Sequence, residues 1–379
     1  MTNIIKTIVG VLCLTFLINC KNVKSNQGSS GGGLAKEVVL RLAPGPGNPR
    51  NSEGDFITLK DGRILFIYSH FSGASGSDFG NAYLASRYST DNGNTWSSED
   101  QLVVKQEGDM NVMSVSLLRL KNGNIALFYA RKNSEEDCIP MMRISTDEAK
   151  TWSDPVTCIT DRPGYYVLNN NRVVQLKNGR LLMPVAMHKA LNGKWQNKGI
   201  LYTYYSDDNG VTWTCSKVVP NNTEIITQEP GLIELKDGTI MMFIRTDSGV
   251  QQLSYSKDNG QTWSHIEPSN IKSPLSPASI ARIPTTGDLL MVWNNNDGSN
   301  PELKGKRTPF NLAISKDEGK TWQHTKTIED NPDGWYCYTA IHFAGKDVLL
   351  GHCAGRRSEG TGLAITQATR LTLDGIYDK

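Results

Sequence analysis

Ser89–Trp96 reads STDNGNTW, and the pattern Ser-x-Asp-x-x-x-Thr-Trp returns at Ser145–Trp152 (STDEAKTW), Ser206–Trp213 (SDDNGVTW), Ser256–Trp263 (SKDNGQTW) and Ser315–Trp322 (SKDEGKTW). Successive copies start 56, 61, 50 and 59 residues apart. A second repeat consists of an apolar stretch, a glycine turn and another apolar stretch. It occurs six times, centred on Gly62, Gly123, Gly179, Gly238, Gly287 and Gly345. Asn-Gly or Asp-Gly supplies the positive φ that a tight hairpin needs. A lone hairpin cannot bury its apolar face, so the repeated units must stack. Radial stacking protects the strand edges and leads to an all-β, six-bladed β-propeller. The sixth unit has no octapeptide, which leaves the strand VVLRL at 38–42 to complete it. One propeller domain is expected over 37–379.

Composition narrows the partners. The 379 residues carry 40 Lys+Arg against 38 Asp+Glu, a formal charge of +2. That balance gives no electrostatic footprint for nucleic acid, and no oligomer beyond a monomer is expected. Residues 1–20 read as a signal peptide, with Lys6 ahead of an apolar core from Ile8 to Ile18. The stretch Leu17-Ile18-Asn19-Cys20 resembles a bacterial lipobox, which makes Cys20 the candidate lipidation site. Residues 21–36 read as a flexible tether. The expectation is an exported bacterial protein, lipid-anchored at the cell surface or in the periplasm, meeting membrane only through that anchor. The remaining cysteines are Cys138, Cys158, Cys215, Cys337 and Cys353. They are odd in number and widely spaced, so they read as buried thiols, with a Cys138–Cys158 bridge left open. No CxxC or HExxH is present, and neither metal nor cofactor is expected.

The octapeptides resemble the Asp boxes of the sialidase family, and five copies make that resemblance specific for fold. They read as structural, because the aspartate accepts amides of its own turn and the tryptophan offers surface to bury. The same resemblance extends to a set of site residues. Glu229, in QEPGLIEL, and Arg245, which ends the following strand, match the family's Glu and second arginine. Arg307 matches the third arginine, and Tyr338, in WYCYTAI, matches the nucleophile. Asp78, in the Gly/Ser-rich loop GASGSDFG, takes the place of the acid/base.

This set has a chemical logic. A sialic acid carries a carboxylate on its anomeric carbon, which arginines bind in bidentate fashion. That carboxylate would repel an anionic nucleophile, whereas a neutral tyrosine deprotonated by a glutamate avoids the repulsion. The resemblance therefore implies a retaining exo-sialidase acting on terminal sialic acid or a related acidic sugar.

The first-arginine side departs from the family. No Arg-Ile-Pro leads into the first hairpin, and Arg50 in PRNSEGDF lies slightly early as its substitute. Ser69-His70 stands where an arginine usually follows the hairpin, and Gly351-His352 where a glutamate usually steadies the first arginine. Arg172, within Asn169-Asn170-Asn171-Arg172, together with Asn111, Arg131, His70, His188, Asn294–Asn296 and His342, completes a polar, cationic group suited to a sugar acid. Lys132 and Glu135 read as solvated surface charges. Two alternatives follow from the departures. One is a propeller hydrolase or lyase for a uronic-acid-containing or sulfated polysaccharide, with Tyr338, His70, His188 or His342 taking a proton. The other is a non-catalytic carbohydrate-binding lipoprotein.

Overall fold

The apolar runs on either side of each hairpin glycine become neighbouring antiparallel strands, and the strands gather into units of four. The computed structural model describes residues 34–378, so the signal peptide, Cys20 and residues 21–33 of the tether lie outside the described residues. The first unit joins Asn51–Thr58, Ile64–Phe71, Ala82–Ser89 and Gln101–Val104. The second joins Asn111–Arg119, Ile125–Lys132, Cys138–Ser145 and Val156–Thr157. The third has a broken inner strand, Gly164–Val167 then Val174–Gln175, beside Leu181–Ala190, Ile200–Ser206 and Thr214–Cys215. Single parallel bridges, Ala82 to Asn111 and Tyr165 to Cys138, merge these three units into one sheet.

Three separate four-stranded sheets follow. The fourth unit is Thr227–Glu234, Ile240–Thr246, Val250–Ser256 and Glu267–Lys272. The fifth is Ser279–Arg282, Leu289–Asn294, Phe310–Ser315 and Gln323–Glu329. The sixth is Gly334–Ala344, Asp347–Arg356 and Thr366–Thr372, and Lys36–Leu42 pairs with its last strand, as expected for the unit without a box. Among the described residues helix is confined to the short turns Pro301–Leu303 and Leu373–Tyr377.

The boxes close on themselves and then dock the units. Asp91 accepts from the Thr95 amide at 2.8 Å and the Thr95 hydroxyl at 2.7 Å, and Ser89 Oγ accepts from the Gly93 amide at 2.8 Å. Asp147, Asp208, Asp258 and Asp317 make the same pair of bonds to Thr151, Thr212, Thr262 and Thr321. Their carboxylates are thus engaged within their own turns. The box glycine meets two demands at once. Gly210 sits at φ 91, and a Cβ there would fall 2.4 Å from Met142 of the second unit. Gly260 approaches Leu182 of the third unit in the same way, and Gly93 approaches Leu349 of the sixth.

The innermost strands share a different device. Each of four carries a bulge holding a non-glycine residue at positive φ: Glu53 (55°), Ser114 (64°), Glu229 (44°) and Tyr338 (56°). A bulge re-aims a side chain out of the strand's alternation. In the third unit the gap between the inner segments holds Asn171, also at positive φ (55°). There the chain staples the units together. Asn170 Nδ2 donates to Gly54 O at 2.9 Å and Tyr338 O at 3.0 Å. Asn171 Nδ2 donates to Asp55 Oδ1 at 2.9 Å, and Asp55 Oδ2 accepts the Leu117 amide at 2.8 Å. Cys138 and Cys158 are both free, so the bridge left open by the sequence does not form.

Two outcomes test this packing. Gly210→Ala meets both the strained φ and the Met142 contact, and urea denaturation should register a loss of about 1–3 kcal/mol. Burial pushes the Asp55 carboxyl up to about 7. A folded value above the unfolded one favours the protonated form, so this contribution is full below about pH 4 and is lost as pH rises through 7. Unfolding free energy should fall across that window with a slope approaching ~1.4 kcal/mol per pH unit. In Asp55→Asn that slope should shrink.

Candidate active site

Two of the bulged residues meet across the middle. Tyr338 Oη donates to Glu229 Oε1 at 3.3 Å, and Arg245 Nη1 reaches the same oxygen at 2.6 Å. Glu229 Oε2 is buried without a partner. Burial would raise the Glu229 carboxyl, but Arg245, then Arg307, outweigh it and hold it below the usual range. Burial and the facing Glu229 charge drive the Tyr338 phenol far above its ordinary value. The pair is therefore a neutral phenol hydrogen-bonded to an ionised carboxylate. Arg307, itself buried, lays its guanidinium 5.2 Å from the Tyr338 ring centre and donates to Cys337 Sγ at 3.0 Å. A cavity of about 90 Å³ opens on Tyr338 and Glu229, and its wall includes Glu53, Asp78, Ser114 and Lys132.

Asp78 reaches this cavity from its loop, which the second unit pins. Asn111 Nδ2 and Lys132 Nζ donate to the Asp78 carbonyl at 2.9 and 2.6 Å. The Asp78 side chain remains 54% exposed. Arg50 lies beneath it, with Nη1 2.6 Å from Asp78 Oδ1 and Nη2 2.8 Å from Glu53 Oε1. One guanidinium thus serves two carboxylates. Burial pushes the Glu53 carboxyl up, whereas Arg50 overcomes burial at Asp78 and lowers it. Arg50 is brought to the site, but with its charge already matched by protein anions.

The structure keeps other expected residues out of the cavity. Arg172 is buried and donates to Ala278 O at 2.7 Å, so its guanidinium stitches the third unit to the fifth rather than facing the cavity. Burial pulls its pKa down to about 10. His70 is engaged by Asp100 at 2.9 Å and stacks on Tyr83. His188 Nδ1 pairs with Gln196 O at 2.8 Å and stacks on Trp195. His342 pairs with Thr58 at 2.9 Å, further along the inner strand than Tyr338. None of these histidines lines the cavity that holds Tyr338.

Lys132 corrects the surface reading: it is 2% exposed and packs over the Phe79 and Tyr165 rings. Glu53 and Ser114 were not singled out by motif, and they contact each other through Ser114 Oγ and Glu53 Oε2. A positional signal for them does exist. Glu53, Ser114 and Glu229 each stand nine residues ahead of a hairpin glycine, Gly62, Gly123 and Gly238. That shared offset marks the bulge.

Comparison with known proteins places this arrangement. The BNR repeat-like domain family matches residues 71–349. A sialidase of Bacteroides fragilis is 28% identical over 211 residues, 52% of this chain and 36% of the relative. A sialidase of Paraclostridium sordellii is 29% identical over 238 residues, 56% of each chain. The chain therefore spans about a third to about a half of the length of these relatives. Among solved structures, a leech intramolecular trans-sialidase superposes with a TM-score of 0.71 at 16% identity, covering 90% of this chain and 71% of its own. A protein of unknown function from Dyadobacter fermentans superposes with a TM-score of 0.69 at 19% identity, covering 89% of this chain and 99% of its own. At these identities the superpositions show the fold alone. The family match spans most of the chain, and the protein belongs to the BNR repeat-like family of the sialidase superfamily.

Proposed function

We propose that the six units are blades of one propeller, and that the protein is a retaining, exo-sialidase-like glycoside hydrolase. The packing of the first unit's Gly93 against Leu349 of the sixth, with Asn92 Nδ2 donating to Ala344 O at 3.0 Å, supports a closed ring. The single observation that carries the activity is the Tyr338 phenol bonded to Glu229, with Arg245 on the same carboxylate oxygen. On this reading Tyr338 Oη attacks the anomeric carbon while Glu229 takes the phenol proton. Asp78 donates a proton to the departing glycosidic oxygen. Water then attacks the glycosyl-tyrosine, Asp78 takes the water proton, and Glu229 returns its proton to the phenol. Arg245 and Arg307 hold the sugar carboxylate.

Asp78 must hold a proton when substrate is bound. Covering its exposed side by substrate removes the water that favours its charge, which raises its proton affinity. Arg50 cannot neutralise both Glu53 and Asp78, which favours retention of one proton between them.

A second reading keeps the reaction and changes the sugar. It is favoured by Arg50, whose donors already face Glu53 and Asp78. The pocket then has two guanidinium groups, not three, for the substrate anion, which suits an acidic sugar other than sialic acid. On either reading the leader at 1–20 and Cys20 make the enzyme an exported, lipid-anchored one.

Release of 4-methylumbelliferone from its sialic acid ketoside tests the activity. Tyr338→Phe should lower kcat roughly 10³-fold or more, and Glu229→Gln roughly 10²–10⁴-fold. Turnover that survives Tyr338→Phe would remove the tyrosine mechanism. A folded parent that ignores the sialoside but cleaves the matching uronide would select the second reading.

A further inference from the structure

Two thiols face each other immediately behind Tyr338. Cys337 precedes it in the Gly334–Ala344 strand, and the register partner of Cys337 in the Asp347–Arg356 strand is Cys353. Directly opposed residues of an antiparallel pair put their side chains on one face. Such partners have Cα atoms about 4.5–5.5 Å apart, inside the range that a disulfide spans. Regular pairing is interrupted just beyond this couple, where Tyr338 and Thr339 bulge, and resumes at Ala340 with Gly351. Both thiols are buried, and neither is bridged in this structure.

Cys337 is also drawn into the charge of the site. Arg307 Nη1 donates to its Sγ at 3.0 Å, so a sulfur occupies one donor of a guanidinium assigned above to the sugar carboxylate. Burial would raise the Cys337 thiol, but the Cys353 thiol and Arg307 outweigh it and hold it below its ordinary value. Cys353, bonded to Cys337 and buried, is pushed the other way. One partner thus favours the thiolate while the other keeps its proton, the division of roles that thiol–disulfide exchange uses.

We propose that Cys337 and Cys353 form a disulfide site, and that closing the bridge releases Arg307 to the carboxylate of the substrate. The release rests on the glycosidase reading above; the bridge itself does not. The oxidant is a disulfide, such as oxidised glutathione, met while the sixth unit is still open. The Cys337 thiolate attacks one of its sulfurs and expels a glutathione thiolate. Cys353 passes its proton to that thiolate and attacks Cys337 Sγ, expelling the second glutathione. Two protein thiols are oxidised, and one external disulfide is reduced to two thiols. In the bridge Cys337 Sγ is neutral and a weak acceptor, so Arg307 Nη1 loses the anion that held it. The Tyr338 and Trp335 rings, with centres 5.2 and 5.0 Å away, still hold Arg307 at the site.

Cell-free synthesis of the full chain with oxidised glutathione or with dithiothreitol gives the two forms. After the thiols are alkylated, trypsin cuts at Lys346 and separates residues 327–346 from 347–356. Mass spectrometry should find these two peptides joined in the oxidised form and separate, both alkylated, in the reduced one. Absence of the joined pair from the oxidised form overturns the site. On oxidation KM for the sialic acid ketoside should fall about tenfold, the weight of one hydrogen bond to a charged group, with kcat nearly unchanged. Cys337→Ser, which removes the thiolate, should show the low KM even with dithiothreitol. Cys353→Ser made with dithiothreitol leaves Cys337 beside Arg307 and should keep the high KM. A KM that ignores both oxidation and Cys337→Ser overturns the release of Arg307. The two forms of the parent need no substitution, so a variant that fails to fold leaves that comparison intact. If neither form cleaves the ketoside, the glycosidase reading fails, and the joined peptides alone then decide the bridge.

Discussion

The structure depends on how buried polar groups are satisfied where the innermost strands converge. Backbone amides and carbonyls there cannot reach water, and leaving them unpaired costs about 1–3 kcal/mol each. The third unit resolves this by breaking its own inner strand. Asn170 caps carbonyls of the first and sixth units, Asn171 meets Asp55, and Arg172 caps the fifth. Asp55 in turn accepts the Leu117 amide of the second unit. Side chains from one short segment thereby coordinate strands that are distant in sequence. Because Asn170 holds the Tyr338 carbonyl itself, the network that joins the units also fixes the backbone that carries the Tyr338 phenol.

Charge is balanced at two levels around that centre. Arg245 keeps Glu229 ionised against burial, and burial together with the Glu229 charge keeps the Tyr338 phenol protonated. Nearer the rim, Arg50 divides its charge between Glu53 and Asp78. The two sides of the cavity therefore differ in kind. Arg245 and Arg307 set their charge around Glu229 and Tyr338, while on the other side the charge of Arg50 is matched by Glu53 and Asp78.

What could be read beforehand follows from how local each signal is. The boxes close through bonds spanning at most four residues, so Ser-x-Asp-x-x-x-Thr-Trp is legible wherever it occurs. Glu229, Arg245, Arg307 and Tyr338 stood in short stretches that resemble family motifs, and all four gather where the strands converge. Arg172 misled because an arginine beside three asparagines looks like a ligand-binding group, whereas its terminal nitrogens donate to Ala278 O and Ser279 Oγ, more than 100 residues away. Lys132 misled in the opposite sense. It reads as a solvated surface charge, but it is buried against the Phe79 and Tyr165 rings. Glu53 is marked only by its nine-residue offset from Gly62, since its contact with Ser114 arises only when separate units meet.

The repeated bulge has a bearing on how such a centre can change. At Glu53, Ser114, Glu229 and Tyr338 the left-handed backbone is imposed by the frame, and any side chain bearing a Cβ meets much the same steric opposition there. An acid, an alcohol and a phenol already occupy comparable mounts in the first, second, fourth and sixth units. Exchanging one reactive group for another leaves the scaffold's conformational cost nearly constant. The frame can thus acquire new chemistry by swapping side chains, without rebuilding the strands that bear them.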